Sequence, residues 1–326
     1  MKRKILAILI CFVFTIGCAG AGGTEVPEQI AAAEAITETD DATDPDNTLQ
    51  QSDGQVITDM AGRTITLSEP VTRVVALTAS DVEILFELGA GDLLVGRGEF
   101  CDYPPEALNV QAVQSGMETN LEQIIALEPQ VVMMSTMGQT MEQMDAIENA
   151  GIVVVITDAH DIEDVYTSIE LIGNVIGKQG EATDLISTMV STFEDISANA
   201  GANEGKTIYF EVSPLEFGLW TAGTDTFMDE IAEKLGLTNI FADVSGWSEI
   251  SEEQVLSRNP DYIVTVGMYF GEGVLPDEEI LARSGWENVT AVRNGTVINF
   301  GNNELSRPSY RLAEGARILS DFIDQN

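Results

Sequence analysis

The chain has 326 residues, with 54 acidic against 15 basic side chains, a formal net charge of −39 and one histidine, His160. Nucleic acid and anionic lipid surfaces would repel so acidic a protein. A zinc or manganese site built from histidine needs several imidazoles or thiolates, so one histidine and three cysteines predict no metal site. The 44% hydrophobic content indicates a folded core, and the length favours two domains.

The N-terminus has the pattern of an export signal. A basic start is followed by thirteen uncharged residues, which predicts a signal peptide over residues 1–17 that is too short to span a bilayer. The segment ending at Cys18 resembles the lipobox of bacterial lipoproteins, although Thr15 stands where Leu is usual. The resemblance implies that Cys18 is lipidated and anchors the protein in the membrane. An ordinary signal cleaved near Ala21 is the alternative.

An acidic segment follows the signal. Residues 24–54 contain nine acidic side chains and no basic or aromatic ones, which predicts a disordered tether over residues 18–55. Without residues 1–17 the chain keeps 12 basic against 54 acidic side chains, a net charge of −42. Cys101 is then the one cysteine of the folded part, so no internal disulfide forms.

The N-terminal half alternates short apolar runs with helical patterns, which is typical of α/β folds. We assign an N-terminal α/β lobe to residues 56–161. Its predicted helices begin near Ser80, Asn120 and residue 139, and the spacing of Ser80 and Glu83 is that of a capping box. The predicted strands are residues 73–77, 93–96, 131–134 and 152–156.

The C-terminal half follows the same plan over residues 205–326, with predicted strands at 207–212, 262–266 and 297–300. At an offset of 131, Glu122 meets Glu253 and Pro129 meets Pro260. We interpret this as two related lobes; the alternative is that strand–helix units resemble one another by chance.

Apolar residues at helical spacing fill the region between the halves, so a connecting helix is predicted over residues 162–204, with a possible break near Gly177 and Gly180. The predicted fold is therefore α/β, with two Rossmann-like lobes joined by a long α-helix and a ligand cleft between them.

Several motifs in order give a family resemblance over roughly residues 56–323. They are Asp59–Arg63, Arg73–Leu77, Glu83–Gly89, Asp102–Glu106, Asn120–Glu122, Trp247 with Ser251–Gln254, Asn259–Asp261 and Ala291–Gly295. The chain resembles the helical-backbone substrate-binding proteins of ABC importers for cobalamin, haem and iron-siderophores. The Asp102–Pro105 segment and the spacing from Trp247 to Gln254 are most similar to the cobalamin-binding members.

The resemblance implies an extracytoplasmic protein that delivers a ligand to a permease dimer with its ATPase. It implies that Glu122 and Glu253, one in each lobe, bind arginines on the two halves of that permease. Acidic residues are also favoured at helix N-termini without any partner, which is the alternative for both.

Candidate ligand-binding residues are aromatic side chains in loops flanked by glycine or proline, or next to a strand end. They are Tyr103, Trp220, Trp247 and Tyr269. Aromatic faces offer large, rigid contact areas for a planar ring system, although each could equally pack in a core. Trp286 is assigned to the core.

Arg307 and Arg311 lie one turn apart at the predicted start of the last helix, where they would meet an anionic ligand group or pair with acids. An anionic siderophore would be repelled by so acidic a body unless Arg97, Arg307 and Arg311 converged, whereas a near-neutral corrinoid would not. Haem ligation by His160 or a methionine ranks third. Cobalamin or another corrinoid is the predicted ligand, but members of the well-known cobalamin-binding type carry a Trp where residues 116–119 read Gly-Met-Glu-Thr.

An exported hydrolase is the alternative from another class. The chain has no Gly-x-Ser-x-Gly elbow, and a single histidine leaves little scope for a Ser–His pair. We therefore predict no catalytic residue and no cofactor. A sensory or adhesive lipoprotein that keeps the fold but contacts no permease is a further alternative.

Overall fold

A computed structural model describes residues 54–116, 118–266, 274–301 and 303–326 of the chain, all within one compact unit. The predicted signal peptide, Cys18, nearly all of the predicted tether and Tyr269 lie outside these residues. Within them, no helix is both long and apolar enough to cross a membrane.

The N-terminal lobe is built on a five-stranded sheet in the order β5-β4-β3-β6-β7. Every neighbouring pair in it is parallel. Helices cover the sheet, and an antiparallel hairpin, β1–β2, precedes it. The strands are β1 (Gln55–Thr58), β2 (Thr64–Leu67), β3 (Val74–Ala76), β4 (Leu94–Gly98), β5 (Ala112–Val113), β6 (Val131–Met134) and β7 (Val153–Ile156), and the helices are α1 (Ala79–Glu87), α2 (Leu121–Ala126) and α3 (Met141–Asn149).

The C-terminal lobe has a mixed sheet in the order β11-β9-β8-β12-β13, with β10 also paired to β8. Strands β8, β12 and β13 are parallel, and β9 is antiparallel to both β8 and β11. The strands are β8 (Thr207–Glu211), β9 (Trp220–Ala222), β10 (Thr238–Asn239), β11 (Trp247–Glu249), β12 (Tyr262–Thr265) and β13 (Val297–Asn299), and the helices are α6 (Phe227–Lys234), α7 (Glu252–Arg258), α8 (Pro276–Leu281), α9 (Thr290–Asn294) and α10 (Arg311–Asp324).

Two helices connect the lobes, where the predicted fold has one long helix over 162–204. Helix α4 spans Ile162–Ile176 and α5 spans Gln179–Ser197. Gly177 ends α4 in the left-handed conformation with φ of 72°, a backbone angle that glycine adopts without strain. A Cβ on Gly173 would lie 2.6 Å from that of Ala182, so the two helices pack closely at the turn. Of the two glycines expected near a break, Gly180 lies inside α5.

The two lobes share one apolar core. A single cluster of buried side chains includes Val74 and Met133 of the first sheet, Phe210 and Val264 of the second, and residues of α4, α5 and α10. The parallel strands are apolar on both faces because helices cover both sides of each sheet. Sliding or opening the lobes would expose this shared core, which favours small changes of lobe orientation.

The duplication expected at an offset of 131 is visible residue by residue. Residues 121–130 and 252–261 have the same order of buried, half-buried and exposed positions, and β6 and β12 follow at the same offset. Glu128 and Asn259 both have positive φ, 46° and 48°, directly before Pro129 and Pro260. A chance likeness of strand–helix units does not explain matched backbone angles at non-glycine positions, so we retain the duplicated plan.

Two local predictions were wrong. Thr78, rather than Ser80, caps α1, since its hydroxyl accepts from the backbone N–H of Asp81. Glu83 therefore makes no capping box and instead meets arginines of the other lobe. The last helix begins at Arg311, so Arg307 lies in the preceding segment and has a freer choice of partner.

Candidate functional site

A cavity of about 350 Å³ lies at the carboxyl edge of the first sheet. It is lined by residues from the segments that follow β3 to β7, together with residues 306–308 of the C-terminal lobe. Loops at the carboxyl ends of parallel strands meet at one edge, which is where open α/β sheets bind ligands. Its size suits a small-molecule site, and its walls come from both lobes.

The cavity has an apolar rim, and small hydroxyl side chains also line it. Phe100 and Met137 line it while 71% and 63% exposed, so two large apolar side chains face solvent there. Small hydroxyl side chains follow β3, β5, β6 and β7 and also line it, namely Thr78, Ser115, Ser135 and Thr157. The arrangement offers apolar contact to a ring face and hydrogen bonds to neutral polar groups.

Arg307 is the one charged side chain among the described residues that line this cavity. Its guanidinium is already paired, with Glu83 at 2.9 Å and Asp102 at 2.7 Å. It also donates to the backbone oxygen of Phe100 at 3.4 Å. The cation is therefore neutralised before any ligand arrives.

Arg311 lies behind Arg307 and is buried. It pairs with Glu83 at 3.3 Å and with Glu304 at 3.4 Å. Its guanidinium also stacks on the Tyr103 ring, 3.7 Å from the ring centroid. Arg311 and Tyr103 line a second, more polar cavity of about 430 Å³, which Asp102 also lines. The two predicted residues thus lie together, next to the first cavity rather than in it.

The predicted tryptophans lie in the second sheet. Trp220 begins β9 and is exposed, opposite Glu249 on β11. Trp247 begins β11, is half-buried, and packs edge-on against Phe227 at 5.5 Å between ring centroids. Neither is among the described residues that line the two cavities, so their ligand-binding role stays a prediction. Trp286 is fully buried, as expected.

Glu122 and Glu253 are both exposed, in the first turns of α2 and α7. Asn120 and Ser251 cap these helices through their side-chain oxygens. Hydrogen bonds from its own backbone N–H and from Ser251 lower the pKa of Glu253, which keeps it ionised. Its neighbour Glu252 turns inward and accepts from the Trp286 ring at 2.9 Å. Each lobe therefore presents an exposed carboxylate at a matched position.

Asp81 is a buried carboxyl beneath the cavity. The Thr157 hydroxyl donates a hydrogen bond to it at 2.8 Å, and Cys101 lies close enough for a Coulombic interaction with it. Burial raises the pKa of Asp81 to about 7, a rise opposed by bonds from Thr78 and Thr157 and reinforced by Asp158. Burial likewise raises the pKa of the Cys101 thiol to about 12, so the thiol stays protonated.

The Asp81→Asn substitution should change the pH dependence of stability. An unfolded aspartate titrates near pH 4, so between about pH 4 and pH 7 the folded protein holds the extra proton and the parent loses stability as pH rises. Relative to the parent, the variant should therefore gain on the order of 2–4 kcal/mol between pH 4 and pH 8. Urea unfolding at both pH values measures this, and a constant difference would contradict it.

The described residues contain no group of three or more His, Cys, Asp or Glu that would hold a metal ion. His160 is exposed, and the described lining residues of the cavity do not include it. Met137 does line the cavity. Cys101 lines it too, but its buried thiol stays protonated, so the Met137 sulfur is the better ligand for a haem iron among these lining residues.

Sequence reasoning missed Glu83 and Phe100, and it named Met137 only as one of several methionines that could ligate a haem iron. The hydroxyl residues carried a usable signal, because Thr78, Ser135 and Thr157 each come directly or nearly directly after a buried strand. No sequence pattern marked Phe100 or Met137 as cavity residues, because exposed apolar residues in loops do not recur at the regular spacing of a helix or a strand. Glu83 was hidden by its distance along the chain from its partners.

The chain matches known proteins over most of its length. The family model described as periplasmic binding protein matches residues 74–304. An uncharacterised ABC transporter substrate-binding lipoprotein of Bacillus subtilis is 31% identical over 99% of this chain and 98% of its own length. The vitamin B12-binding protein of Salmonella typhimurium is 28% identical over 78% of this chain and 90% of its own.

The fold is also similar to that of a protein of known structure. The periplasmic haem-binding protein of Roseiflexus superposes with a TM-score of 0.69 at 21% identity, covering 78% of this chain and 98% of that one. At this identity the match concerns the fold alone, and it agrees with the α/β class predicted from the sequence.

Proposed function

The chain belongs to the periplasmic binding protein family and is a substrate-binding protein of an ABC transporter, and we propose that its ligand is cobalamin or another corrinoid. Members of this family bind solutes and are not enzymes, so the hydrolase alternative falls away. The observation that carries the ligand proposal is the cavity between the lobes, which has an apolar rim and no unpaired cation among its described lining residues.

The charges around the cavity favour a near-neutral ligand. Arg307 and Arg311 have carboxylate partners, and buried Arg97 donates to the backbone oxygens of Ala107, Gly98 and Glu99. A polyanionic siderophore would need these cations free, and it would be repelled by the exposed carboxylate of Asp102, which is paired with Arg307. A corrinoid instead offers an apolar ring face to Phe100 and Met137 and amide groups to the hydroxyl side chains.

Relatives support the same ligand. The vitamin B12-binding protein of Salmonella aligns with more than three quarters of the chain. Haem is the second candidate, favoured by the exposed thioether of Met137 at the cavity. Haem is therefore included in the thermal-shift screen described next.

A thermal-shift screen of the protein lacking residues 1–50 separates the ligands. Cobalamin, cobinamide, haem and a ferric siderophore are added in turn at rising excess. A ligand that binds the folded state at 100 times its Kd adds about 2.7 kcal/mol of stability. We expect the corrinoids to raise the melting temperature with concentration. A rise with haem or the siderophore alone would overturn the proposal.

We propose further that Glu122 and Glu253 bind basic side chains on the two halves of a permease dimer. Both carboxylates are exposed and sit at matched positions, one in each lobe. Charge-assisted bonds of this kind contribute about 1.5–3 kcal/mol when they lose water at an interface. The matching of the two lobes suits a partner with two equivalent halves.

Replacing both acids by alanine should weaken docking about 100-fold, and each single change about tenfold. ATPase stimulation of the reconstituted permease complex against protein concentration measures this, with Glu216→Ala, another exposed acid, as control. Unimpaired stimulation by the double variant would remove the docking proposal and favour a lipoprotein that contacts no permease.

The membrane anchor is proposed at Cys18. The relative in Bacillus subtilis is named a lipoprotein, and the segment before Cys18 resembles a lipobox. The Cys18→Ser variant should be released from washed membranes into the soluble fraction, because it lacks the acyl chains that would anchor it. Retention of this variant in washed membranes would contradict the anchor.

A further inference from the structure

Each proposed docking helix also exposes an apolar side chain. Ile125 on α2 is 42% exposed and Leu256 on α7 is 38% exposed. Each lies three residues after the acid, so Glu122 and Ile125, like Glu253 and Leu256, share one face of a helical turn. The matched offset of 131 therefore relates two acid–apolar pairs rather than two acids.

The exposed aliphatic residues are not needed to attach these helices. Ile124 and Val255, the preceding residues, are fully buried and pack each helix on its lobe. Ile125 and Leu256 are exposed, as are the polar residues Gln123 and Gln254 of the same helices. A single exposed leucine or isoleucine is ordinary. The duplicated plan accounts for the equal exposure of the two positions, but it does not require an aliphatic side chain at both.

We propose that each lobe docks through a two-part epitope, an acid and an aliphatic side chain one turn later, and that the partner has two equivalent halves. Each half would carry a basic side chain next to a shallow apolar depression. This inference rests on the proposed docking role of Glu122 and Glu253. The acids steer the encounter and set its orientation, whereas desolvation of Ile125 and Leu256 slows dissociation.

The experiment compares Ile125→Ser, Leu256→Ser and the double variant with the parent. The control is Ile318→Ser on α10, an aliphatic residue that is 39% exposed outside the proposed epitope. Binding of each protein to the cognate permease–ATPase complex in nanodiscs is measured at low and high salt. Melting temperatures confirm that the variants fold.

We expect each serine to weaken binding about tenfold, mainly through faster dissociation, and the double variant about 100-fold. These losses should persist at high salt, since apolar burial is not screened, whereas the contribution of the acids should shrink. The Ile318→Ser control should bind like the parent.

The outcomes separate this inference from the proposal on which it rests. If the serine variants bind like the parent while Glu122→Ala with Glu253→Ala does not, the apolar half is wrong and docking through the acids stands. If only one of the two serines matters, the matched epitope is wrong. If neither acids nor aliphatics matter, docking by these helices is wrong altogether.

Discussion

The Glu83→Leu variant should lose about 3–5 kcal/mol of stability, the largest effect that we expect of a single substitution. Glu83 is 0% exposed and lies on α1 of the N-terminal lobe, while its partners Arg307 and Arg311 belong to the C-terminal lobe. The Ser309 hydroxyl also donates to it. Removing the carboxylate leaves buried guanidinium groups short of a partner, and desolvated charge without a partner is costly.

Chemical and thermal unfolding measure this loss. At roughly 2–4 °C per kcal/mol for a body of this size, the melting temperature should fall by about 10 °C. The matched control is Glu148→Leu, which removes the partially exposed partner of Arg63 and should change stability by less than about 1 kcal/mol. Equal losses of stability in the two variants would show that the buried ion pairs of Glu83 contribute no more to stability than an exposed ion pair.

The Gly138→Trp variant should lose ligand binding by at least about 100-fold while remaining folded. Gly138 lines the cavity, and a Cβ there would have its nearest neighbour, the Ser135 oxygen, at 4.0 Å. The backbone thus accepts a side chain, and an indole extending from this position would fill space that the ligand needs.

The control for this variant is Gly180→Trp, which puts the same side chain on the exposed surface of α5, where a Cβ meets nothing within 4 Å. Titration with cobalamin should give parent-like affinity for the control and a large loss for Gly138→Trp. Full affinity in both would place the ligand outside this cavity. An unfolded Gly138→Trp would appear in its melting curve, and Gly138→Ala, expected to bind with intermediate affinity, then tests the same point.

The buried strands were predictable because their apolar runs are bounded by turn residues. Val131–Met134 was predicted with its bounds, and Pro129 and Pro260 marked the equivalent helix ends in both lobes. The break in the connector was predictable in the same way, since Gly177 is a typical helix terminator. Strand bounds and helix ends depend on residues that are neighbours in the chain, so they can be predicted from the sequence.

The site was harder to predict because it depends on contacts between distant residues. Glu83 has the spacing of a capping box with Ser80, yet its partners are Arg307 and Arg311, more than 220 residues away along the chain. The exposed Phe100 and Met137 follow no period, and Trp247 packs against Phe227. The two tryptophans predicted to bind ligand because they follow glycines therefore lie in strands of the second sheet, and neither is among the described residues that line the cavity.

Direct binding of cobalamin tests the central claim, that a near-neutral corrinoid is held in the cleft between the lobes. Equilibrium dialysis of the protein lacking residues 1–50 gives both affinity and stoichiometry. The account predicts saturable binding of one cobalamin per chain, little affected by salt, and lost in Gly138→Trp. No saturable binding of cobalamin or cobinamide, together with saturable binding of haem or of a ferric siderophore, would contradict it.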